Sequence, residues 1–167
     1  MKLRIALIQM QVEMGNPERN FAHAKEMMEE AMERKPDILV LPETWNTGFF
    51  PRENLADLAD KEGKETSRLL SETASRYAVN IVGGSTAVQE GNDIYNRSMV
   101  FDRKGDLVST YDKMHGFSLS GEPGYFRMGN HLSHFTLDGI ECSMAICYDI
   151  RFPELIRREA LAGVDLF

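Results

Sequence analysis

The amino-acid sequence predicts an α/β fold around a mixed sheet. Three observations carry that expectation. Short aliphatic runs at residues 3–8, 38–41 and 79–82 alternate with longer stretches of helical composition, proline or glycine punctuates the joins, and two later pairs of apolar runs are connected by hairpin-type turns.

The elements are taken in chain order. Residues 3–8 are dense in β-favouring aliphatics, and Gly15, Asn16 and Pro17 then break the pattern. Asn16 reads as an N-cap and Pro17 as a first-turn proline, whose missing N–H costs nothing there; the helix runs to about Arg34 and ends at Pro36. The continuous apolar run 38–41 is expected to be a strand covered on both faces, with Pro42 and Glu43 at its C-terminal end. Leu69, Leu70, Ala74 and Tyr77 are spaced for an amphipathic helix over about 64–77, succeeded by a strand at 79–82 closed by Gly83 and Gly84. Residues 93–102 and 107–111 flank 103-RKGD-106 and should pair antiparallel. Residues 116–130 are rich in Gly, Ser and Pro and have no period; they read as a loop of the kind that often carries function. Strands at 134–137 and 140–146 are joined by Asp138-Gly139, and the second delivers Cys147. A helix over 152–163 has Pro153 near its first turn and Gly163 as its C′ residue, and 164–167 begins another strand.

At 167 residues and 43% hydrophobic, the chain suits one domain over 1–167. A net charge of −7, with no local Lys/Arg cluster, repels phosphate backbones, so nucleic acid is not an expected partner. No apolar run approaches the roughly 18 residues of a membrane span, and the first residues lack a cleavage site and read as a strand. Two cysteines are too few for a disulfide framework, which points to a reducing, cytoplasmic setting; the ten methionines read as core filler.

Three residues could carry chemistry. Cys147 falls at a strand-to-helix transition, where exposed N–H groups and a helix dipole would lower a thiol pKa and receive an oxyanion. Glu43 ends a strand beside aromatic side chains, where partial burial would tune a carboxylate as a base. Lys113 comes after a strand that should feed the same end of the sheet, placed to stabilise negative charge. By residue type alone each has a blander reading: a core cysteine, a loop glutamate, a surface lysine. Cys142 fits the core reading, on the opposite face of the same strand. His115 is a candidate partner for a papain-type thiol, Glu122 could orient Lys113 or bind substrate, and Asp149 and Arg151 could hold the turn after the thiol.

Together the strings 41-LPE-43, 111-YDK-113 and 147-CYDIRFPEL-155, with 5-IALIQMQVEMGNPERN-20, resemble the nitrilase superfamily of carbon–nitrogen hydrolases along the whole chain. The resemblance implies an α-β-β-α sandwich with mixed sheets flanked by helices, with its C-terminal part missing from this sequence. It implies a cysteine-dependent amidase in which Cys147 is the nucleophile, Glu43 the base, Lys113 the oxyanion stabiliser, Glu122 a supporting glutamate and the Tyr148 N–H part of the oxyanion hole. Residues 46–49, Phe49 included, would line the acyl pocket. No metal or organic cofactor is implied, and the partners are a small amide substrate and a second copy of the chain, through Phe152, Leu155 and Ile156. The ω-amidase-like branch, acting on a 2-oxoglutaramate-like ω-amide, is the nearest match; an N-carbamoyl-amine amidohydrolase and a non-catalytic module are the alternatives. Gly116, where relatives commonly carry leucine, should loosen the backbone near Lys113.

Overall fold

The structure is a computed structural model and describes residues 2–167. Strand β1 (Ile5–Leu7) leads to helix α1 (Pro17–Ala31), whose start is capped as expected, with the Asn16 side chain accepting from the Arg19 N–H at 3.2 Å. One 3₁₀ turn (Met32–Arg34) and a left-handed Lys35 then end the helix before Pro36. Strand β2 (Ile38–Val40) pairs in parallel with β1 and with β4 (Asn80–Val82), the latter reached through α3 (Lys64–Tyr77).

Strand β6 (Asp93–Phe101) is the organising strand. One edge carries β4 at Val100 and Phe101 and β5 (Thr86–Glu90) at residues 93–97, and the other edge carries β7 (Leu107–Asp112), all antiparallel. Residues 83–85 therefore bend one path of chain so that both halves stay on β6. Gly84 makes the bend possible, with φ +59° and so little room that a Cβ would strike the carbonyl oxygens of Leu41 and Pro42. The sequence pattern did not reveal β5, nor a single helical turn α2 (Leu55–Leu58) and the two-residue strand β3 (Asp60–Lys61) that pairs with β5.

Two apolar layers cover the seven-stranded sheet. On one face Phe21, Ala24 and Met28 of α1 and Leu69, Leu70 and Ala74 of α3 pack on Leu39, Ile81, Val88 and Phe101. Full burial of side chains of this size contributes about 1.5–3 kcal/mol each. On the other face Ile38, Val100 and Tyr111 meet Phe135, Leu137, Cys142, Met144 and Ile146. Ile38 and its neighbour Leu39 thus point into different cores, which explains the unbroken apolar run 38–41.

The second layer is the hairpin of β8 (His134–Leu137) and β9 (Ile140–Ser143), turned at Asp138 and Gly139, both with positive φ. Phe135 and Leu137 face the large sheet, so His134 faces outward, and there its Nδ1 lies 3.6 Å from Glu159 of helix α4 (Pro153–Leu161). The order of layers is helix, sheet, sheet, helix. Gly163, with φ +93°, comes after α4 as expected, and Leu166 bridges in parallel to Cys142 of β9. Strand β9 is shorter than the 140–146 expected. It ends at Ser143, and the chain reaches Cys147 through Met144 and Ile146, which the inter-sheet core buries.

Candidate active site

Glu43 stands just past β2, and its two successors along the chain are firmly held. Thr44 adopts a left-handed φ of +45°, and its N–H donates to Ser85 Oγ at 3.0 Å while the Trp45 N–H donates to the Ser85 carbonyl at 3.2 Å. The Trp45 ring is fully buried, edge-on to Phe21, and its Nε1 donates to the Gly83 carbonyl at 2.9 Å. A non-glycine residue in this region costs on the order of 1–3 kcal/mol, which this packing must hold in place.

Lys113 comes directly after β7 and lies across from Asn96, its N–H donating to the Asn96 carbonyl at 3.0 Å. Its side chain has no exposure, and Nζ donates to Glu43 Oε1 at 2.8 Å and to Glu122 Oε1 and Oε2 at 3.0 and 2.9 Å. Burial opposes the ammonium charge, but the bonds and charges of Glu43 and Glu122 outweigh it, so the Lys113 pKa is raised. Glu122 is fully buried in a 3₁₀ turn (Glu122–Gly124), and Oε2 also accepts the Phe117 N–H at 2.7 Å.

Cys147 opens a five-residue 3₁₀ turn (Cys147–Arg151) with φ +47°, a sharp corner for a residue that is not glycine. Asp149 holds the corner. Completely buried, it accepts from Tyr111 Oη at 2.7 Å, from the His115 N–H at 2.8 Å and from the Ile146 N–H at 3.0 Å. Burial first, and then the hydrogen bond to Asp149, push the Tyr111 hydroxyl pKa far up, so it stays a donor. The thiol is exposed and lines a cavity of about 170 Å³ with Glu43, Ser98, Met144 and Ile146.

The thiol corrects one expectation. A helix dipole was expected to lower its pKa; instead partial burial and the neighbouring Glu43 carboxylate raise it, with Lys113 pulling the other way. The reason is local: the chain enters a single 3₁₀ turn here, and the α-helix begins only at Pro153.

Glu43, Lys113 and Glu122 thus meet in one ion cluster, with Cys147 across the cavity that Glu43 borders. The side chains of other expected residues make contacts outside that ion cluster. His115 stacks flat on Phe152, ring centroids 3.7 Å apart, and its Nδ1 is 2.8 Å from Asp149. Asn46 is buried and clips to both the N–H and the carbonyl of Ala87, so it serves the sheet edge. Phe49 is 43% exposed and packs on Phe50, which reaches Tyr125 and Phe126. Tyr148 packs against Phe117 and Phe152. Arg151 is exposed, and Asp149 alone holds the corner. Gly116 does not loosen the site: a Cβ there would press on Pro123 at 2.9 Å and Met128 at 3.0 Å, so glycine lets the Glu122 loop pack close. Cys142 is buried in the inter-sheet core, where burial raises its thiol pKa.

Sequence reasoning missed Asn96, whose Nδ2 donates to Glu43 Oε1 at 2.9 Å and to Glu122 Oε1 at 3.1 Å. Its only signal was a place on the strand facing the one that leads to Lys113. Among the described residues no group of three or more His, Cys, Asp or Glu side chains is placed to hold a metal ion.

The sequence profile of the family described as Carbon-nitrogen hydrolase matches residues 4–167. The chain belongs to the carbon–nitrogen hydrolase family. It is 39% identical over 166 residues to the 2-oxoglutaramate amidase of Bacillus subtilis (strain 168), covering 99% of this chain and 63% of that protein. To the omega-amidase NIT2 of Danio rerio it is 34% identical over 177 residues, covering 99% of this chain and 61% of that one. The chain therefore spans a little over three-fifths of these carbon–nitrogen hydrolase relatives. Among solved structures, Saccharomyces cerevisiae Nit3, of branch 10 of the nitrilase superfamily, superposes with TM-score 0.86 at 25% identity over 97% of this chain and 61% of that one. XC1258 from Xanthomonas campestris, a CN-hydrolase superfamily protein whose active site holds an arsenic adduct, gives 0.82 at 27% identity over 91% and 56%. The helix–sheet–sheet–helix layering agrees with these neighbours.

Proposed function

We propose that the chain carries the catalytic cluster of an amidase that cleaves the terminal carbon–nitrogen bond of a small dicarboxylate ω-amide through a thioester on Cys147. The observation that carries this reading is the Glu43–Lys113–Glu122 cluster, buried at Lys113 and Glu122, whose Glu43 borders the cavity at the Cys147 thiol. A thiol kept protonated by its surroundings needs a base at the moment of attack, and Glu43 is the carboxylate beside it.

As sulfur bonds to the amide carbon, the thiol proton passes to Glu43. The C–N bond then breaks as Glu43 returns that proton to nitrogen, releasing ammonia and leaving a thioester. Water attacks the thioester, giving a proton to Glu43, and the C–S bond breaks to restore the thiol and free a carboxylic acid. Lys113 directs its donors at two carboxylates, so it acts on the developing oxyanion through its charge, with the Tyr148 N–H as the donor proper. None of these steps calls on a metal or organic cofactor.

The names of the relatives support an ω-amide such as 2-oxoglutaramate over an N-carbamoyl amine. The test is ammonia release from a panel of ω-amides of dicarboxylates and N-carbamoyl amines. Turnover of the ω-amides is expected; turnover of the ureido compounds alone would replace the substrate class, and turnover of neither would remove the hydrolase reading. We infer one domain over 1–167 that pairs with a second copy in the cytoplasm. Two free cysteines support the reducing setting, and no helix among the described residues is long and apolar enough to cross a membrane. Ile150, Phe152 and Leu161 are the exposed apolar groups around α4 that support pairing, while Leu155 is buried within its own chain. In this reading Phe49, packed on Phe50, lines the acyl pocket.

A further inference from the structure

We propose that Asn96 is a positioning residue that aims the Glu43 carboxylate, by clamping one of its oxygens and leaving the other for the Cys147 proton. The inference rests on the functional reading of Glu43 and Cys147 above and deepens it.

Both donors that reach Glu43 from the cluster, Asn96 Nδ2 at 2.9 Å and Lys113 Nζ at 2.8 Å, land on Oε1. A carboxylate held at one oxygen from two directions keeps its plane and presents Oε2 on its far side. Asn96 also spends its second N–H on Glu122 Oε1, so one amide nitrogen ties two carboxylates from separate loops to the same point. That point is rigid: Asn96 is 1% exposed and lies on β6, which is hydrogen-bonded along both edges.

Chemistry singles out the residue type. The amide nitrogen offers two donors and no negative charge, whereas aspartate in the same shape would set a third carboxyl against two. The orientation of the amide obeys the same logic, since the reverse one would turn its oxygen toward two anions. Asn96 Oδ1 is buried with no hydrogen-bond partner, a cost accepted for the sake of where the nitrogen points. Lys113 could balance the charge of the two glutamates without Asn96. It could not alone fix the rotation of Glu43, because an ammonium is a flexible point donor.

The test is the rate of iodoacetamide alkylation at Cys147 at neutral pH, read by peptide mass in the full chain, for wild type, Asn96→Ala, Asn96→Asp and Glu43→Gln. Glu43→Gln should slow alkylation, because the carboxylate that takes the thiol proton is gone. Asn96→Ala and Asn96→Asp should each slow it by roughly tenfold or more, the worth of a hydrogen bond to a charged group. In amide turnover kcat should fall by about tenfold or more at neutral pH with KM little changed, because Asn96 is buried. Asn96→Asp keeps the shape, so it reports on the clamp if the alanine variant unfolds. An alkylation rate and kcat unmoved in a folded variant would overturn the proposal. A wild type without amide turnover would remove the functional reading, and the alkylation rates would still decide whether Asn96 aims Glu43.

Discussion

Replacing Lys113 by methionine removes the one cation in a cluster of two carboxylates while keeping the side-chain volume. Glu122 is then left fully buried, facing Glu43 with only the Asn96 and Phe117 N–H groups to satisfy it. Breaking a buried pair by deleting one partner typically costs 3–5 kcal/mol, because the other charge is stranded. The loss should therefore be about 3–5 kcal/mol at neutral pH. Lys113 has a raised pKa, so its contribution is whole below the ordinary lysine value and lost only as pH rises through the raised one. Urea unfolding measures the loss. Adding Glu122→Gln should recover about 2 kcal/mol or more, since removing both charges costs less than removing one. A loss below about 1 kcal/mol, or no recovery with Glu122→Gln, would refute the reasoning.

Four further outcomes are expected. Glu43→Gln should abolish turnover, read as ammonia release, since the carboxylate that borders the thiol cavity can no longer take the thiol proton. Asp149→Asn should lower stability by about 2–4 kcal/mol in thermal melts and reduce kcat, because an amide cannot accept from Tyr111, His115 and Ile146 together. Gly84→Ala should cost about 3 kcal/mol or more by denaturant titration, as its Cβ meets backbone oxygens that cannot move aside. Arg103→Ala should cost about 1 kcal/mol at low salt by releasing Asp37 and Asp138. Arg103 holds the Asp138 carboxyl below its ordinary pKa, so that difference should be present at neutral pH and close as pH falls through the lowered value.

Much of this molecule can be read from residue patterns because local and global demands coincide. Asn16 and Pro17 start α1, the spacing of Leu69, Leu70 and Ala74 sets α3 over Lys64–Tyr77, and Asp138-Gly139 turns β8 into β9. What escaped detection depended on partners distant in sequence. Strand β5 is five residues long and comes just after the Gly83-Gly84 break, so nothing local distinguishes it from a loop; pairing to β6 makes it a strand. The site divides in the same way. Glu43, Lys113 and Cys147 are legible as motifs, and Asp149 as a holder of the turn after the thiol. Asn96 and Gly116 act through what they touch: two carboxylates, and the loop around Pro123 and Met128. The direction of the thiol shift also depended on tertiary placement, because the sequence suggests a helix start at Cys147 where the chain forms a 3₁₀ turn beside Glu43.

The central claim is that Cys147 carries the acyl group. Mixing the protein with glutaramate, quenching in acid within the first turnovers and weighing the Cys147 peptide tests it directly. The account predicts a glutaryl thioester on Cys147, none on Cys142, and one ammonia released for each adduct formed. Ammonia release with Cys147 unmodified throughout, or undiminished in Cys147→Ala, would contradict it.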